Sequence, residues 1–168
     1  MKRFIISMGI ALSIVAFTTT LFAQATATAN ASATIVTPIS ITKNTDMNFG
    51  NVATNGTVGT VVLAPDGSRT STGGVTLPAT VGTVTAASFA VAGSGSYTYA
   101  ITLPTSVVIS NGVNVMTVDT FTSSPATTGT LTAGAQTLTV GATLNLIASQ
   151  VAGTYTSATP FSVTVNYN

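Results

Sequence analysis

The chain has 168 residues, of which 4% are charged and 45% hydrophobic, with no Cys, His or Trp. That length suits one domain, and the apolar share argues against a disordered chain even though charge is far below the ~25% usual in globular domains. All three acidic residues are Asp, so Ser-His-Asp and Cys-His sites and thiolate zinc centres are excluded by inventory alone.

The N-terminus reads as an export signal. Lys2 and Arg3 precede a nearly unbroken apolar run over residues 4–17, followed by Thr18, Thr19, Thr20 and the small-x-small sequence Ala23-Gln24-Ala25. The run is too short for the ~20 residues of a membrane span. Cleavage is expected after Ala25, with Ala23 as the alternative. Residues 1–25 are then the signal peptide, 26–45 an N-terminal extension and first strand, and 46–168 the main domain. Cleavage leaves Lys43 and Arg69 against Asp46, Asp66 and Asp119, a net charge of −1. No basic patch remains to bind phosphates, so no nucleic-acid partner is expected, nor any membrane span after cleavage.

The remaining elements read as strands. From Ala25 the odd positions are Ala25, Ala27, Ala29, Ala31, Ala33 and Ile35, then Thr37, Ile39 and Ile41, while most even positions are Thr, Ser or Asn. This period-two pattern predicts a long strand with one apolar face, interrupted at Pro38. Met47 and Phe49 predict a short strand. Asn55-Gly56 predicts a hairpin turn, residues 57–64 a strand, and Pro65-Asp66-Gly67 the next turn. Further strands are expected at 73–77, 87–91, 97–103, 107–109, 113–121 and 138–146, with Gly141 as a bend or bulge. Residues 122–130 read as a loop. Tyr155 opens the last hairpin arm, and Phe161, Val163, Val165 and Tyr167 form the final strand. Eight to ten short strands at this spacing predict an all-β, immunoglobulin-like Greek-key sandwich.

Chemistry-bearing residues are few. No cofactor or metal site and no catalytic residue is expected. Asp46 or Asp66 could offer calcium a ligand, but the spacing of Asp-rich calcium loops is absent, and Asp66 reads as a turn residue. Lys43 with an Asn or Asp could form an internal isopeptide link only beside a buried acid, which nothing in the sequence identifies. Tyr97 and Tyr99, at i and i+2, could share a face as a carbohydrate-stacking platform or pack into the core.

Several short motifs occur in a characteristic order: Asn48-Phe49-Gly50, Pro65-Asp66-Gly67-Ser68-Arg69, Gly73-Gly74-Val75, Ala87-Ser88-Phe89, Leu138-Thr139-Val140-Gly141, Gly153-Thr154-Tyr155 and Val163-Thr164-Val165-Asn166-Tyr167. In this order they resemble the bacterial secreted family catalogued as domain of unknown function 4402. That family offers no established site residues to carry over. The C-terminal part is more distantly similar to spore-coat-U-like subunits of chaperone–usher pili. This second resemblance implies an incomplete sandwich completed by another subunit's strand, export from a Gram-negative cell and a periplasmic chaperone. The candidate donor strand is then Ala25, Ala27, Ala29, Ala31 and Ala33, and the candidate pairing strand Phe161, Val163, Val165 and Tyr167. The missing disulfide and the shallow alanine face depart from the pilin pattern. Two functions follow as expectations. One is a non-enzymatic pilus-like or surface-coat subunit that self-associates or joins sister subunits. The other is a self-complete secreted binding module, glycans being one candidate ligand.

Overall fold

Alternating residues become a strand only where a neighbour accepts their backbone hydrogen bonds. The structure, a computed structural model, describes residues 23–168; the expected signal segment up to residue 22 lies outside them. The chain divides into two units between Thr34 and Ile35. Residues 23–34 are exposed and belong to no strand. The long strand expected from Ala25 is therefore not formed there, and pairing starts only at Ser40. Alanine methyls bury little, and Pro38 has no N–H to contribute to a ladder.

The second unit contains twelve strands: β1 (Ser40–Thr45), β2 (Asn48–Phe49), β3 (Ala53–Leu63), β4 (Arg69–Thr76), β5 (Val84–Thr85), β6 (Ala87–Ala92), β7 (Thr98–Thr102), β8 (Ser106–Asn111), β9 (Asn114–Ser124), β10 (Thr128–Thr130), β11 (Ala135–Leu146) and β12 (Thr164–Tyr167). Every pairing is antiparallel. The described residues contain no helix, and so none long and apolar enough to cross a membrane.

The larger layer has seven strands organised around β11. Along one edge of β11, residues 135–140 pair with β6 and 142–146 with β3; along the other, 139–145 pair with β9. β1 lies outside β6, β4 outside β3 and β8 outside β9. The smaller layer has two separate pieces, β10-β7-β12 and the two-residue pair β2-β5. The fold is an all-β sandwich, as its periodicity predicts.

The core follows the alternation. Leu138, Val140, Ala142, Leu144 and Leu146 of β11 are all buried. Gly141, between them, faces the other way under the β3–β4 turn: a Cβ there would lie 2.1 Å from the Leu63 carbonyl oxygen. The β9 register shifts opposite this position, and Thr120 has φ +47°. This bulge reverses the parity of β9. Met116 and Val118 point inward, and Phe121 rather than Thr120 continues the inner row, touching both core clusters.

Several expectations change. Asn55-Gly56 is not a hairpin tip but a bulge inside β3, where register shifts between Thr54 and Gly59. Residues 122–130 are not all loop, since β9 runs to Ser124 and β10 follows. The last strand is shorter than expected: Phe161 and Val163 precede β12, which begins at Thr164.

Candidate functional site

The two pieces of the smaller layer do not meet. β12 pairs only with β7, and β2 only with β5. Beside the β2-β5 piece lies a groove of about 1140 Å³. Its floor is the inner face of the larger layer: Val107 and Ile109 of β8, Met116 and Val118 of β9, and Leu144 and Leu146 of β11. One wall is the stretch through β2; the other is the segment from Gln150 to Phe161, which precedes β12. The floor is thus a strand surface.

Both walls are fastened. On the β2 side, Arg69 at the start of β4 donates through Nη1 to the carbonyls of Phe49 and Asn51, the latter at 3.1 Å. A guanidinium thus supports the last carbonyl of a two-residue strand and one just beyond it, where the short ladder gives little support. On the other side, Tyr155 Oη donates to the Val151 carbonyl at 2.7 Å and accepts from Gln150 Nε2 at 2.8 Å. Ser110 and Thr156 exchange backbone hydrogen bonds at 2.9 and 3.0 Å. Phe161 packs on Phe121, with ring centroids 5.1 Å apart.

The expected pairing strand is divided by this arrangement. Val165 is buried and Val163 half-buried in the cluster beneath β7, and Phe161, which packs on the same cluster, also lines the groove. Tyr167 has a different task. Its Oη accepts from the Ser94 N–H at 2.7 Å and donates to the Thr37 carbonyl at 2.8 Å. It therefore ties the root of the N-terminal segment to the end of β12. Ala25, Ala27, Ala29, Ala31 and Ala33 lie in the exposed first unit without strand partners.

The paired-tyrosine platform does not form. Tyr99 is fully buried, its hydroxyl donating to Gln136 Oε1 at 2.7 Å; burial raises its phenol pKa. Tyr97 lies just before β7, 49% exposed, and packs at a tilt on Tyr167 with centroids 5.6 Å apart.

The charged residues are dispersed. Lys43 and Asp46 form an ion pair of 2.7 Å with side chains 56% and 80% exposed. That pair lacks the enclosed acid an isopeptide link needs, and an exposed pair contributes little. Asp66 caps its turn by accepting from the Ser68 hydroxyl and N–H, and these bonds lower its pKa. Asp119 lies in β9. The described residues contain no group of three metal-ligating side chains. Sequence reading missed Arg69, whose signal was its position directly after the turn motif, and the floor residues, which read simply as core.

An antiparallel β-sandwich whose smaller layer leaves an apolar groove open defines the structural class. Within that class, the chain belongs to the family described as Domain of unknown function (DUF4402), whose model matches residues 39–167. No curated protein and no solved structure matches the chain.

Proposed function

We propose that this protein is an exported, non-enzymatic structural subunit of a surface fibre or coat, and that it assembles by β-strand addition. The groove between β2 and residues 150–161 carries the reading, because an apolar strand surface left open by the smaller layer has the form of a strand-acceptor site. Support also comes from the exposed segment over residues 23–34, which has no strand partner in its own chain, and from the leader sequence. The resemblance to pilin subunits adds a periplasmic chaperone that holds the groove before assembly. The lack of His, Cys and Glu, with the three Asp on separate elements, supports a role without turnover.

Deleting residues 26–33 from the processed chain tests this. Light scattering after size exclusion should show oligomers for the parent and monomers for the deletion, with an unchanged β-type circular dichroism spectrum. Equal assembly by both chains would refute it.

Tyr97 favours a second reading, a self-complete secreted binding module, since a half-exposed ring stacked on another aromatic can hold a sugar face. In that case the parent is a monomer, and Tyr97→Ala abolishes oligosaccharide binding measured by calorimetry.

A further inference from the structure

After cleavage the donor face proposed above supplies only the methyl groups of Ala27, Ala29, Ala31 and Ala33, whereas the groove floor carries Val, Ile, Met and Leu. Four alanine methyls cannot fill about 1140 Å³ to the density of a protein interior. The same period-two face continues, after Ala33, to Ile35, and Ile35 is 97% exposed. Neither the side chains of residues 26–36 nor the groove offers an uncompensated charge: the segment has none, and Lys43 and Asp46 at the groove rim pair with each other. Building on the strand-addition reading, we propose that the groove receives residues 26–35 of a second copy, with Ile35 as the anchoring side chain.

Ile35 is 97% exposed and does not line the groove of its own chain. Thr37, two residues on, is fixed by the Tyr167 hydroxyl, so Ile35 lies within ~7 Å of that tether. The ten residues 26–35 span ~33 Å when extended.

The cysteine-free chain permits a direct test. Processed full-length chains carrying single substitutions, Ile35→Cys in one and Met116→Cys in the other, are mixed, allowed to assemble and oxidised. Met116 lies on the groove floor; Val113, 94% exposed in the β8–β9 turn, supplies the control as Val113→Cys. The expected result is a mixed disulfide dimer from Ile35→Cys with Met116→Cys at least tenfold in excess of that with Val113→Cys. In parallel, Ile35→Ser should raise the concentration for half-assembly at least tenfold, and Ala31→Ser less than threefold. Assembly that persists with equal cross-linking at both sites, or without loss in Ile35→Ser, overturns the anchor while leaving strand addition standing. A parent chain that is monomeric at every concentration overturns both.

Discussion

The two halves of the sandwich share one floor and differ in their roofs. Where β10-β7-β12 covers β6 and the first half of β11, Tyr99, Leu131, Leu138 and Val140 are at most 1% exposed. Where β2-β5 and the segment after Gln150 cover β9 and the second half of β11, Val118 and Leu144 are nearly as buried, at 2% and 3%, and Phe49, Met116 and Leu146 keep 7–8% exposure, much as Val165 of the other half keeps 7%; the difference is the groove that opens here. The same strand, β11, supplies an alternating apolar row to both halves, Leu138 and Val140 to one and Ala142, Leu144 and Leu146 to the other, so hydrophobicity does not distinguish them. Continuity of the smaller layer does. A three-strand roof is held by its own ladder, whereas the open half has only the β2-β5 pair and the Ser110–Thr156 bridge and adds side-chain ties, Arg69 on one wall and Gln150 with Tyr155 on the other.

Truncation on the two sides should separate them most clearly. Leu138→Ala, in the closed half, should cost about 3 kcal/mol, as cavity formation does in packed cores. Met116→Ala, which borders the groove, should cost about 1 kcal/mol, because part of its contact surface is already open. Urea unfolding of the monomeric chain checks both, and equal losses would break the comparison. Arg69→Ala should cost about 1–2 kcal/mol by releasing the Phe49 and Asn51 carbonyls, with faster proteolysis near β2 as its local signature.

Smaller effects sharpen the contrast. Tyr99→Phe should cost about 1 kcal/mol at neutral pH through the lost bond to Gln136. Burial raises the Tyr99 pKa above its ordinary value near 10, so its contribution is complete below that value and declines as pH rises through the folded one. Tyr99→Phe should therefore lose less stability than the parent between pH 9 and 12, as read by alkaline unfolding. Asp66→Ala should give the smallest change. The Asp66 pKa is lowered from 3.8, so its contribution is present above that value and lost as pH falls through the folded one. Parent and variant should converge in strong acid.

Much of this fold was legible because alternation reports the buried face directly. The inner rows of β6, β7 and β11 follow from Phe89, Tyr99 and Leu138 with their i+2 neighbours. Other features depended on distant partners. β10 is Thr-Gly-Thr and carries no apolar signal; Gly129 is required because a Cβ there would lie 2.2 Å from the Tyr99 ring. Asn55-Gly56 has hairpin chemistry but serves a bulge, since a pair that tolerates positive φ suits both. The alanine run has the period of a strand, yet period alone provides no neighbour. The groove was illegible because it lies where the two-residue β2 and the largely unpaired stretch over residues 150–161 leave the larger layer uncovered, and failure to pair leaves no local pattern. Phe161 reads from the sequence as part of a continuous strand, whereas it precedes β12 and lines the groove.

The central claim is that the smaller layer is completed by a strand from another subunit. Amide hydrogen exchange on the processed chain, compared between dilute monomer and assembled material, tests it most directly. The account predicts that β2 and residues 150–161 become slower to exchange on assembly by at least tenfold, while β6 and β7 stay unchanged. Assembled material in which these walls exchange as fast as in the monomer, with slowing confined to the outer face of the larger layer, would contradict it.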